Sequence, residues 1–230
     1  MAITAAQVKE LRERTGCGMM ECKKALVDAS GDMEAAAETL RKSGLAKADK
    51  KAGRVAAEGV IVVEVSGDSK RGAIVEVNSE TDFVARKDEF QDFAKAVVRR
   101  VLESAPADVD ALLAMPLEDG GPAVEEARRS LIASIGENIT VRRFSSREAV
   151  KGNLSSSLHG ARSGVLVELD GGDGELARDV AKHIAASKPV CIVDEGVSQE
   201  MLDKEKEIFS AQAEASGKPP EIVEKMVSGR

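Results

Sequence analysis

The sequence has no tryptophan, no tyrosine and only five phenylalanines in 230 residues. Aromatics make up 2% of the chain while hydrophobic residues make up 43%. The core must therefore be aliphatic, built from Ala, Val, Leu, Ile and Met, and the chain is not globally disordered. The same scarcity removes the aromatic platforms on which single-stranded nucleic acids stack. Cysteine is also rare. Cys17, Cys22 and Cys191 make an odd set with no disulfide framework, as expected for reduced thiols in a cytoplasmic chain. Neither Cys17 nor Cys22 has two nearby partners for a zinc site, so no metal is expected. Apolar runs fall far short of the roughly 20 residues a membrane helix needs. The first 16 residues are polar and periodic, unlike a signal peptide.

The charge is present but unevenly distributed. The chain carries 33 basic and 40 acidic residues, a net of −7. Residues 1–55 hold 11 basic against 8 acidic, a net of +3, so the rest carries −10. An acidic body with a mildly basic head does not suit direct nucleic-acid binding, which draws on many phosphate contacts. A protein partner fits better.

The first 54 residues read as three short helices. Thr4 and Gln7 fit a capping box, and Ala5, Val8 and Leu11 form one apolar stripe. Gly16 and Gly18 break the chain. A second helix carries Cys22, Ala25, Leu26 and Ala29. Gly31 stops it and Asp32 caps a third, with Ala36, Ala37 and Leu40 inward. Lys42, Lys47, Lys50, Lys51 and Arg54 then read as a solvated helical linker. From residue 59 the period changes to two. Residues 60–65 and 73–77 form a hairpin, followed by a helix with Phe90, Phe93, Ala94 and Val97 on one face. Pro106, Pro116 and Pro122 punctuate loops, and another helix covers 124–135. Strands are expected at 139–144, 154–158, 165–169 and 190–193, with a helix carrying Leu176, Val180 and Ile184. The tail reads as two helices around Gly217-Lys-Pro-Pro220, a hairpin whose seam needs a packing partner. The fold class is α+β. The expected divisions are a head at 1–54, a core in two halves at 55–140 and 141–198, and a helical hairpin at 199–230.

The two halves are a weak duplication of two strands and a helix, with Gly72-Ala-Ile-Val-Glu-Val77 matching Gly164-Val-Leu-Val-Glu-Leu169. The copies differ where strand passes to helix. Residues 78–89 fill that junction in the first copy and residues 170–175 in the second, six fewer. The extra length contains Phe83 among polar neighbours. Such a phenylalanine either anchors in a partner's pocket or folds back on its own core, and spacing alone does not choose.

Several stretches resemble one family in order along the chain. Thr15-Gly-Cys-Gly-Met-Met-Glu-Cys-Lys-Lys-Ala-Leu26 and Glu76-Val-Asn-Ser-Glu-Thr-Asp-Phe-Val-Ala85 are similar to the two signatures of translation elongation factor Ts. Ile135-Gly-Glu-Asn-Ile139, His159-Gly-Ala-Arg-Ser-Gly-Val-Leu-Val167 and Ser216-Gly-Lys-Pro219 add to the resemblance. It implies a UBA-like head and a guanine-nucleotide exchange factor whose partner is the GTPase elongation factor Tu, with no cofactor and no chemistry of its own. It further implies that Thr81, Asp82, Phe83 and Val84 enter near the partner's nucleotide site and dislodge Mg²⁺, with Phe83 as wedge. Arg12, Met19, Met20 and Lys23 would be head contacts, and His159 a weaker one. Longer members of the family continue beyond the position of Arg230, and the tail hairpin associates with a second copy in some of them.

Other readings compete. Gly172-Asp-Gly174 follows a strand and opens a helix, and Asp194 lies 22 residues on, as in a dinucleotide fingerprint. Yet Asp170, Asp173 and Glu175 would repel a pyrophosphate, and no series of βα units surrounds them. Gly67 and Gly72 have P-loop spacing, but Ala73 and Ile74 stand where Lys and Ser/Thr are required. A non-catalytic adaptor is the remaining alternative.

Overall fold

Three amphipathic helices open the chain in the computed structural model, which describes residues 3–215. Helix α1 (Ala5–Thr15) starts at Thr4, whose side chain accepts from the Gln7 N–H in a complete capping box. Helix α2 (Met19–Asp28) buries Cys22, Ala25 and Leu26. Asp32 caps α3 (Met33–Lys51) by accepting from the N–H groups of Glu34 and Ala35. Val8, Leu11, Cys22, Leu26, Ala36 and Leu40 meet in a small core of their own.

Helix α3 does not stop with the head. It runs on through the stretch expected to be a solvated linker, and Ala48, only 3% exposed, joins the main core. Its partner is α7 (Val124–Ile135). The two backbones approach closely at Gly44, where an added Cβ would lie 3.0 Å from the Ala133 Cβ. Arg129 pairs with Asp49, and Arg41 with Glu126 at 3.5 Å. Small residues at a helix crossing leave no periodic signal, so the docking is invisible in α3 alone.

The main sheet has the order β1-β2-β3, all antiparallel, from β1 (Glu58–Val65), β2 (Arg71–Ser79) and β3 (Ile139–Glu148). In the β1–β2 turn, Asp68 accepts from the Ser66 hydroxyl and the Lys70 N–H, which holds its carboxyl below the usual carboxylate range. One face of the sheet, with Val60, Ala73, Val75 and Val77, packs on α5 (Asp88–Ser104). Helix α5 buries Phe90, Phe93, Ala94, Val97, Val98 and Val101, a spacing of three and four that gives one continuous apolar stripe. The opposite face, with Ile61 and Ile74, meets a second sheet of β4 (Asn153–His159) and β5 (Ser163–Leu169). The Ile61 N–H donates to Ala161 O at 2.7 Å where the sheets touch. A four-residue helix, α4 (Asp82–Ala85), sits between β2 and α5, a short α6 (Val109–Ala114) precedes α7, and α8 (Gly174–Ser187) follows β5.

Gly59 makes the entry to β1. Its φ is +142°, and a Cβ there would lie 2.1 Å from Val77 O. Gly59→Ala is expected to cost about 2–4 kcal/mol, from backbone strain and loss of the β1–β2 register. A urea midpoint equal to that of the parent chain would contradict this.

Residues divide into two compact units, Met1–Ala186 and Ser187–Arg230. The second contains a 3-10 turn (Asp194–Gly196) and α9 (Gln199–Ala215). No strand forms at 190–193, contrary to the sequence expectation, and Ile192 is fully exposed. Apolar β-formers make a strand only where a neighbour accepts their backbone hydrogen bonds, and among the described residues none does. The second helix of the expected tail hairpin, and the turn at 216–220, lie outside the described residues. Among the described residues no helix is long and apolar enough to cross a membrane.

Candidate functional site

The six extra residues of the first repeat build α4 and its flanks. Thr81 caps the turn, its Oγ1 accepting from the Val84 N–H at 3.4 Å. Four residues give barely one helical turn, too few for propensity to hold it. Burial decides its orientation: Val84 and Ala85 are 4% and 5% exposed and join the main core. With that side anchored, Phe83 faces outward at 78% exposure. The side chain therefore does not fold back on its own core. Asp82 is only partly buried and pairs with Arg86 at 2.8 Å, within the same turn.

Arg12, Met19, Met20 and Lys23 all lie on the head surface. Met19 is 58% exposed and Met20 75%. Helix α2 buries one side, so its outer side presents the two methionines, Lys23 and Val27 at spacings of three and four. Val27 escaped the sequence reading, although its place four residues after Lys23 continues the stripe. Flexible thioethers beside the exposed Lys23 and Lys24 make a surface that can adapt to a protein partner.

The head and the Phe83 turn are held in one unit. Ser134 of α7 donates to Gly16 O at 3.3 Å, fixing the α1–α2 turn on the body. An open groove of about 350 Å³ runs between Gly16, Glu89, Phe93, Ala127 and Leu131. Its Glu89 is in the first turn of α5, which begins three residues after α4 ends. Thus the methionine-bearing helix begins just beyond one wall of the groove and the phenylalanine-bearing turn just before the other.

His159 is placed elsewhere. It ends β4 in the second sheet and is exposed, at the turn whose Arg162 pairs with Glu58. The glycine turn before α8 is closed to a pyrophosphate. The Asp173 carboxylate accepts from the N–H groups of Glu175 and Leu176 at 3.1 and 2.8 Å, where phosphate oxygens would sit. The preceding strands are antiparallel, which a dinucleotide fold does not use. Among the described residues no group of three or more His, Cys, Asp or Glu side chains could hold a metal ion.

Comparison with known proteins gives a consistent result. The family model described as Elongation factor TS matches residues 80–230. The elongation factor Ts of Thioalkalivibrio sulfidiphilus is 62% identical over 231 residues, covering 100% of this chain and 78% of that protein. That of Methylococcus capsulatus is 61% identical over 230 residues, with the same coverage. That of Arthrospira platensis is 56% identical over 229 residues, covering 92% of its own length.

Proposed function

The chain belongs to the elongation factor Ts family of translation elongation factors, and on that premise we propose that it is the guanine-nucleotide exchange factor of elongation factor Tu. It binds the GDP-bound GTPase, displaces Mg²⁺ and promotes GDP release. The observation that carries the reading is Phe83, a large apolar side chain held outward on a turn whose other apolar residues are buried.

Such an activity needs no bond-making group. A factor that binds the nucleotide-free GTPase more tightly than the GDP form lowers GDP affinity by the same ratio. Mg²⁺ demands near-ideal octahedral geometry and bridges phosphate oxygens to protein ligands. An apolar wedge that shifts those ligands weakens metal and nucleotide together. Thr81, Asp82 and Val84 shape the turn, and Phe83 is the wedge. Arg12, Met19, Met20 and Lys23 hold the partner from the head. His159, on the other sheet, is proposed as a peripheral contact. The reading includes a cytoplasmic location, no direct contact with nucleic acid, and self-association through the tail as a separate property.

Lys23 lies among apolar residues on an exposed helix face, so charge reversal adds repulsion without disturbing the core. Lys23→Glu is expected to raise the Kd for elongation factor Tu by about tenfold, more at low salt than at high. Calorimetric titration at two ionic strengths checks this, and an unaltered Kd removes Lys23 from the interface. An adaptor would bind elongation factor Tu equally well, so release of a fluorescent GDP from the complex is the test that separates the two.

A further inference from the structure

The geometry points to Glu137 as a positioning residue that locks the Phe83 turn, an inference that rests on the exchange reading above and deepens it. Glu137 lies in the short link between α7 and β3, 56 residues from Thr81. Its carboxylate takes both hydrogen bonds that Thr81 can donate. Oε2 accepts from the Thr81 N–H at 3.0 Å and Oε1 from the Thr81 hydroxyl at 2.7 Å. The hydroxyl oxygen is then free to accept from the Val84 N–H, within the single turn of α4. One carboxylate thereby fixes both the backbone and the side chain of the residue that caps the turn.

The neighbouring residues return the contact. Glu80, just before Thr81, accepts from the Asn138 N–H at 2.6 Å, just after Glu137. Each loop gives the other a carboxylate, and each takes up a backbone N–H that would otherwise lack a partner where the strands begin and end. Bonds of this type, with an ionised acceptor, are roughly twice as strong as neutral ones. The clamp is also tied to the end of α3. Lys51 donates to Gly136 O, and the Asn138 side-chain amide donates to Arg54 O at 2.7 Å. A continuous hydrogen-bonded path therefore runs from the last turn of α3, whose first turns belong to the head, through the 136–138 link, to the residue that aims Phe83.

The clamp has a functional consequence distinct from stability. Val84 and Ala85 anchor the turn by burial, so the turn persists without Glu137. What is lost is its fixed orientation. A wedge transmits binding energy into the partner's metal site only if it does not swing aside when it meets resistance. The head sets affinity, and the clamp sets how much of that affinity reaches the nucleotide.

The test is stopped-flow release of fluorescent GDP from elongation factor Tu across a range of exchange-factor concentrations. Glu137→Gln keeps the size but leaves one acceptor oxygen and an amide that cannot receive the second donor. It is expected to lower the maximal release rate roughly tenfold with the half-saturating concentration little changed. Thr81→Val removes the hydroxyl bond to Glu137 together with the cap on Val84 and should slow release at least as much, while Thr81→Ser, which keeps the hydroxyl, should keep the parent rate. In the Phe83→Ala background Glu137→Gln should add almost nothing, since the clamp acts through Phe83. A parent-like maximal rate for Glu137→Gln and Thr81→Val, with Phe83→Ala slow, overturns the clamp and leaves the exchange reading standing. Losses that multiply in the double variant also overturn it. Failure of the parent chain itself to accelerate release overturns the exchange reading, and the clamp with it.

Discussion

Phe83→Ala is expected to slow the maximal rate of GDP release from elongation factor Tu by about thirtyfold, the size of a roughly 2 kcal/mol interface anchor. The fold should be unaffected. Phe83 is 78% exposed, and substitutions at such positions change stability by about 0.5 kcal/mol or less. Of the five phenylalanines, Phe90 and Phe93 are buried under the main sheet and Phe144 packs partly against the same core. Phe209 is on α9, in the other unit. Phe83 alone stands exposed on the turn that lengthens the first repeat. Steady-state affinity should fall much less than the release rate, because Arg12, Met19, Met20 and Lys23 remain on the head. An exchange rate equal to that of the parent chain would remove Phe83 from the mechanism.

Phe90→Ala should do the reverse. Phe90 is seven residues further on, in the first turn of α5, and is fully buried beneath the sheet. Truncation leaves a cavity that the surrounding, largely aliphatic core can fill only in part. The expected loss is about 3–5 kcal/mol, a large share of the roughly 5–15 kcal/mol that holds a domain folded. For a unit of this size the thermal midpoint should fall by on the order of 10 °C. The protein that remains folded should still release GDP at the parent rate per molecule, because the Phe83 turn is held by Val84, Ala85 and Thr81. A midpoint within a degree of the parent value would show that the main core does not depend on this ring. The pair of variants separates two uses of one residue type, one spent on a partner and one on the core.

Much of this was legible in the sequence because it was local. The Thr4–Gln7 capping box, the Asp32 cap, the period-two strands and the α5 stripe each show their physics within a few residues. The extra length between the repeats, and Phe83 within it, could be found by comparing the two halves. The direction of Phe83 could not, because a one-turn helix takes its orientation from what its other residues bury. The Thr81–Glu137 bonds span 56 residues and follow no periodicity. The continuation of α3 onto α7 depends on Gly44 and Ala48, small residues whose value appears only against a partner helix. The absent strand at 190–193 fails for the converse reason: local β-propensity was present, but no neighbouring strand among the described residues takes up its backbone groups.

The central claim is that contact between this chain and elongation factor Tu is converted into loss of nucleotide. The most direct measurement is the release rate of fluorescent GDP from elongation factor Tu, followed while the concentration of this chain is raised. The rate should climb hyperbolically to a plateau far above spontaneous release, and fall back as free Mg²⁺ is increased. A stoichiometric complex that forms while GDP continues to leave at its spontaneous rate would contradict it.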